Sequence, residues 1–130
     1  MGQDRVRVAV VGGGRTGAPL LELLCGLPYV DVIGVADRDA GSPGARFAQE
    51  PGIFYTEHAS VLGAKASEID LIIEVSGDPT VKPELKEAFR AQGNNSTIIV
   101  HDLVARLIMT LGSGSESLVE SLHPDDRGIG

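Results

Sequence analysis

Two rhythms of apolar and polar residues alternate along this chain, and the switches between them outline a fold. From Arg5 to Val11 the residues are almost continuously apolar, as in a central parallel strand covered on both faces. From Thr16 to Cys25 the spacing becomes helical, with Leu20, Leu24 and Leu27 on one face. Pro19 is compatible with that helix because it falls in the first turn, where its missing N–H is no loss, and Gly26 is a natural terminator. A second strand follows over Val30 to Ala36, then a turn-rich loop from Arg38 to Gly44. The pattern next predicts a short helix over Ala45 to Gln49, a short strand at Ile53-Phe54-Tyr55 and a short helix over Ala59 to Lys65. A fourth strand spans Ile69 to Val75, and a charged helix over Pro83 to Ala91 turns Leu85 and Phe89 inward. A fifth strand spans Ser96 to Val100.

The last helix is predicted to begin near Asp102 as its N-cap. Leu103, Val104, Leu107, Ile108 and Leu111 form its apolar stripe, which suits a dimer as well as it suits the sheet. Gly112-Ser113-Gly114-Ser115 interrupts it, and Glu116 to Leu122 is expected to add a turn or two. One domain over residues 1–122 and a tail over 123–130 result, with no internal repeat. Strands that alternate with helices through right-handed crossovers give an α/β fold, a doubly wound parallel sheet of about five strands in the order 3-2-1-4-5.

Composition narrows the function classes. The 130 residues are 42% hydrophobic and 22% charged, as in a globular domain. A net charge of −7 argues against nucleic acid and against anionic membranes as partners. No apolar run approaches the roughly 20 residues of a membrane span. Met1-Gly2-Gln3-Asp4-Arg5 leads straight into the first strand with no signal-peptide pattern, so a cytoplasmic location is expected. Cys25 is the single cysteine; it is expected to be a small packing residue rather than a reactive thiol. No metal-ligand spacing is present.

Candidate chemistry gathers at the first strand-to-helix junction. Gly12, Gly14 and Gly17 fit G-x-G-x-x-G. The first glycine permits the tight turn, the second lets a pyrophosphate approach the backbone, and the third lets helix and strand pack closely. A diphosphate would then rest on the helix amino end, where free N–H groups and the helix dipole favour negative charge. Asp37 ends the second strand 20 residues beyond Gly17, the spacing of an acid that accepts hydrogen bonds from adenosine ribose hydroxyls. Asp37 repels a 2′-phosphate and so favours NAD, while Arg38 beside it attracts one and keeps NADP open.

The loop Gly12-Gly13-Gly14-Arg15-Thr16-Gly17 resembles the G-x-G-R-x-G loop of the glucose-fructose oxidoreductase and inositol dehydrogenase family. Val32-Ile33-Gly34-Val35-Ala36-Asp37-Arg38 resembles that family's second strand and ribose-binding acid. Asp70-Leu71-Ile72-Ile73-Glu74-Val75-Ser76-Gly77 is similar to the fourth strand of homoserine and aspartate dehydrogenases. The resemblance covers about the first 100 residues and implies a Rossmann domain that binds NAD(P). It places Gly12, Gly13, Gly14, Arg15, Thr16, Gly17, Asp37, Arg38, Ser76 and Gly77 around the dinucleotide. The family's Glu-Lys-Pro motif after strand five is replaced by His101-Asp102-Leu103-Val104, without its catalytic lysine, and no stretch of the 130 residues is expected to form the family's substrate domain.

Catalytic residues are therefore unassigned. His101 is expected to end a strand and bind a backbone carbonyl, Asp102 to cap a helix, and Glu74 to point at the sheet edge or pair with a base. His58 and His123 are expected to be solvated. The leading expectation is a nucleotide-sensing or regulatory module. An oxidoreductase cofactor domain completed by another chain is the alternative, and S-adenosylmethionine or coenzyme A are alternative ligands. A homodimer or a partner domain is open.

Overall fold

A computed structural model describes residues 4–14, 16–49, 52–114 and 116–119. Five strands, β1 (Val6–Val11), β2 (Val30–Ala36), β3 (Phe54–Thr56), β4 (Leu71–Glu74) and β5 (Ile98–Val100), form one parallel sheet in the order β3-β2-β1-β4-β5. The helices are α1 (Gly17–Cys25), α2 (Pro43–Gln49), α3 (Ala59–Ala64), α4 (Val81–Gln92) and α5 (Asp102–Ser113). None is long and apolar enough to cross a membrane among the described residues.

Alternation along β1 shows how the sheet acquires two cores. Val8 and Val10 point to one face and pack with Leu20, Leu21 and Leu24 of α1, Ala48 of α2 and Ala105 of α5. Ala9 and Val11 point to the other face and pack with Leu62 of α3 and Leu85 and Phe89 of α4. Each fully buried leucine contributes about 1.5–3 kcal/mol. The register between β1 and β2 slips between Val8 and Ala9, so Ile33 bulges and Ala9 pairs with Gly34. At the amino ends of the central strands, the Asp70 carboxylate accepts the Arg7 backbone N–H at 2.9 Å and its guanidinium at 3.0 and 3.3 Å.

Several local expectations change. α2 begins at Pro43, two residues before Ala45, because Ser42 Oγ accepts the Ala45 N–H at 3.2 Å and proline suits a first helical position. The Arg38–Gly44 stretch is thus partly a helix start rather than all loop. α4 begins at Val81, with Pro83 inside its first turn. α5 runs through Gly112 to Ser113 and stops at Gly114, whose φ of +72° is the left-handed closing residue. Residues 116–119 form no helix. The final part of that expected turn and the tail lie outside the described residues.

Asp102 is the first residue of α5 and His101 its N-cap, and no side chain caps that helix. The α5 stripe is divided. Ala105, Ile108 and Met109 face the sheet core, while Leu103, Leu107 and Leu111 are 58%, 50% and 73% exposed. Thr110 is buried because its hydroxyl donates to the Arg106 carbonyl and accepts the Val119 N–H. Cys25 is exposed at the end of α1, and desolvation by the atoms around it pushes its thiol pKa up.

Candidate functional site

The carboxyl edge of the sheet is where β1 and β4 send their chains in opposite directions. Such an edge leaves a crevice between the loops. Backbone bonds fix its rim: Gly12 N–H donates to the Ala36 carbonyl at 2.8 Å, Val75 N–H to Val11 at 2.9 Å and Asp37 N–H to Thr56 at 3.0 Å.

The three glycines of the motif have different reasons to be glycine. Gly12 has φ +103°, and a Cβ there would stand 2.8 Å from the Ser76 backbone. Gly17 opens α1 against the turn, where a Cβ would stand 1.7 Å from the Gly12 carbonyl oxygen. Gly14 is unlike both, since a Cβ there would meet nothing within 4 Å. Its face is open to a ligand. Thr16 is the buried N-cap of α1, its side chain makes no capping bond, and the first turn carries no acid. The helix amino end thus keeps its positive partial charge uncompensated by side chains. Arg15 lies outside the described residues.

Gly13 is committed inside the protein. Its N–H donates to Asp37 Oδ2 at 2.7 Å, and its carbonyl accepts the Gly44 N–H at 2.6 Å. Asp37 Oδ1 accepts the Asp39 N–H at 2.9 Å, so the carboxylate is fastened through both oxygens beside the glycine turn. Each oxygen keeps a lone pair for a further donor. The Tyr55 hydroxyl donates to the Asp37 carbonyl. Partial burial pushes that phenol's pKa up, helped by the charges of Glu57, Asp37 and Asp39.

Asp37 lines a cavity of about 230 Å³ together with Gly12, Arg38, His58, Ser76 and Asp78. Arg38 reaches over from the end of β2, its Nη2 2.8 Å from Asp78 Oδ2. Asp78 Oδ1 accepts the Thr80 N–H at 2.9 Å and the Thr80 hydroxyl at 2.7 Å. Those bonds, outweighing desolvation and joined by the Arg38 charge, hold the Asp78 pKa below the ordinary aspartate value. Gly77 turns the loop at φ +74°. Among the sequence candidates, the glycine turn, Asp37, Arg38 and Ser76 are thus brought to one place.

Glu74 neither reaches the sheet edge nor pairs with a base. It is fully buried, and its Oε1 accepts the Ser76 N–H at 2.7 Å and the Ser76 hydroxyl. It holds the β4–α4 turn in shape. The His101 ring meets a side chain: its Nε2 contacts Lys82 Nζ of α4. A lysine therefore does stand at the end of β5, supplied by the neighbouring helix. His58 is exposed, but it borders the cavity with Glu57, Ala59, Val81 and Glu84. These come from the starts of α3 and α4. The topology would have located them, since both helices follow strands whose carboxyl ends face the crevice.

No protein-family model matches this sequence, and no curated protein matches it. Solved structures do match its fold. The gentamicin A biosynthesis protein GenD2, in complex with NAD, aligns over 86% of this chain and 32% of its own, at 24% identity and a TM-score of 0.57. Scyllo-inositol dehydrogenase from Lactobacillus casei aligns over 88% of this chain and 34% of its own, at 15% identity and a TM-score of 0.59. A 3-ketoreductase from Actinomadura kijaniata, in complex with TDP-benzene and NADP, aligns over 85% and 35%, at 16% identity and a TM-score of 0.53. The chain spans about a third of the length of each. At these identities the likeness establishes a Rossmann-type α/β fold, of the kind that these dehydrogenases and reductases contain as one part.

Proposed function

We propose that this chain binds a nicotinamide dinucleotide at the carboxyl edge of its sheet. The observation that carries the reading is the Asp37 carboxylate, fastened by Gly13 N–H at 2.7 Å on the rim of the cavity beside the glycine turn. In this reading Asp37 accepts the adenosine ribose hydroxyls through its remaining lone pairs. The open face at Gly14 and the uncapped amino end of α1 receive the diphosphate. The Ser76–Gly77 turn, shaped by Glu74, closes over the ligand. When bound, the dinucleotide supplies hydride chemistry at its nicotinamide ring. The residues of this chain hold and orient it.

NAD rather than NADP is the proposed cofactor, because Asp37 stands where a 2′-phosphate would sit and Arg38 is already paired with Asp78. The close packing of Gly17 on Gly12 supports a dinucleotide over S-adenosylmethionine or coenzyme A. The chain would act as a nucleotide-sensing or regulatory module. A second reading, a cofactor domain of an oxidoreductase completed by another chain, is favoured by one observation. Leu111, the most exposed leucine of α5, borders an apolar cleft of about 370 Å³ between α1 and α5, a surface suited to a partner domain or a second copy.

Thermal unfolding with NADH, NADPH, S-adenosylmethionine and coenzyme A tests the reading. NADH at 100 times its Kd should add about 2.7 kcal/mol. For 130 residues this is a rise of ~10 °C in Tm. Stabilisation by S-adenosylmethionine or coenzyme A alone would overturn the assignment.

A further inference from the structure

We propose that Asp78 sets dinucleotide choice at this cavity by holding Arg38 away from a 2′-phosphate. The inference rests on the dinucleotide reading above and extends it to a residue of the β4–α4 turn. Arg38 adjoins Asp37 in sequence and lines the same cavity, whose border also carries the acids Glu57, Asp78 and Glu84. A free guanidinium there would match a phosphate with two parallel N–H groups. It is not free: Nη2 lies 2.8 Å from Asp78 Oδ2 and 3.4 Å from Thr80 Oγ1.

The two partners are unequal. The Asp78 side chain is 22% exposed and that of Arg38 is 74% exposed. Asp78 is also built in. Its N–H donates to Ser76 Oγ at 3.1 Å, its Oδ1 takes two bonds from Thr80, and Ser76 is itself held by the buried Glu74. The carboxylate is therefore the fixed post, and the long, solvated arginine goes to it. A 2′-phosphate that recruited Arg38 would have to displace a pre-placed carboxylate and leave that charge unpaired beside its own. Asp37 already repels the phosphate from one side of the cavity, and Asp78 removes the cation that would offset this repulsion. Dinucleotide choice then depends on two carboxylates from two different loops.

Isothermal titration of the 130-residue chain with NADH and with NADPH tests this. Asp78→Asn should raise the ratio of NADPH to NADH affinity by about fivefold, the upper end for releasing an exposed ion pair. Adding Arg38→Met to Asp78→Asn should return the ratio to within twofold of the original. An unmoved ratio in Asp78→Asn, or a gain that survives Arg38→Met, overturns the inference. Should circular dichroism show that Asp78→Asn does not fold, Arg38→Met alone decides. The ratio should stay within twofold, and a fivefold fall would show that Arg38 already serves the phosphate. Absence of binding by either nucleotide to the unaltered chain would remove the dinucleotide reading itself. NADH binding with an unmoved ratio in Asp78→Asn would remove only the role of Asp78.

Discussion

Gly14 and Gly17 lie three residues apart in one motif, yet substitution by alanine should separate stability from binding. At Gly17 the added methyl would stand 1.7 Å from the Gly12 carbonyl oxygen and 2.7 Å from its carbon. Both are backbone atoms, so no side-chain rotation relieves the overlap. Either α1 slides outward or the β1–α1 turn opens, and overpacking of this kind costs about 1–3 kcal/mol. A rigid backbone neighbour places Gly17→Ala toward the upper end, so we take ~2–3 kcal/mol. Unfolding entropy for 130 residues is roughly 0.27 kcal/mol/K. Gly17→Ala should therefore lower Tm by ~7–11 °C. At Gly14 the methyl meets nothing within 4 Å, and the cost to stability should stay within about 0.5 kcal/mol. That methyl would, however, occupy the open face proposed for the diphosphate, so Gly14→Ala should weaken NADH at least ~10-fold, the equivalent of about 1.4 kcal/mol. Thermal circular dichroism and calorimetric titration read the two effects separately. A Gly17→Ala protein that melts within 2 °C of the parent (roughly a quarter of the smallest expected shift), or a Gly14→Ala protein that keeps full NADH affinity, would refute the reasoning.

The clamp at the other end of the sheet should give acid sensitivity. Hydrogen bonds from the Arg7 side chain and backbone, with its charge, lower the Asp70 pKa against desolvation. A carboxylate with a depressed folded pKa adds stability above its unfolded pKa, near 4, and loses it as pH falls through the folded value. Asp70→Asn should thus be less stable than the parent at pH 7, and urea melts should show the gap closing below about pH 4; a gap independent of pH would contradict the clamp. The outward face of α5 should be tolerant: Leu107→Ser is expected to change monomer stability by less than about 0.5 kcal/mol, against 2–5 kcal/mol for Leu20→Ala at a fully buried position. Equal costs in denaturant melts would mean that Leu107 is covered.

The strand order was readable because β1, β2 and β4 are each mostly apolar, interrupted only by Arg7, Asp31 and Glu74, and a helix follows each. That arrangement leaves few topologies open. The glycine turn was readable because one of its close contacts is local: Gly17 packs on the Gly12 carbonyl five residues before it. Ser42-Pro43-Gly44 was read as a loop because the residues that cap and start a helix are also those that make turns. Which part of the α5 stripe faces the sheet is not a property of its period. It depends on where Leu23 and Leu24 of α1 stand, a long-range fact. Glu74 defied the pattern through a local bond instead: the next turn folds Ser76 back onto its Oε1. The Lys82–His101 contact and the Arg38–Asp78 pair join segments that are distant in sequence and had no local signature.

The central claim is that bare backbone at the β1–α1 turn and the Asp37 carboxylate together receive a dinucleotide. Titration of the 15N-labelled chain with NADH, followed by amide chemical shifts, tests it without altering a residue. The largest shifts should fall on Gly12, Gly14, Thr16, Gly17, Asp37 and Ser76, and the amino ends of β1 and β4 should stay still. Saturable shifts confined to the α1–α5 cleft, or none at millimolar NADH, would contradict it.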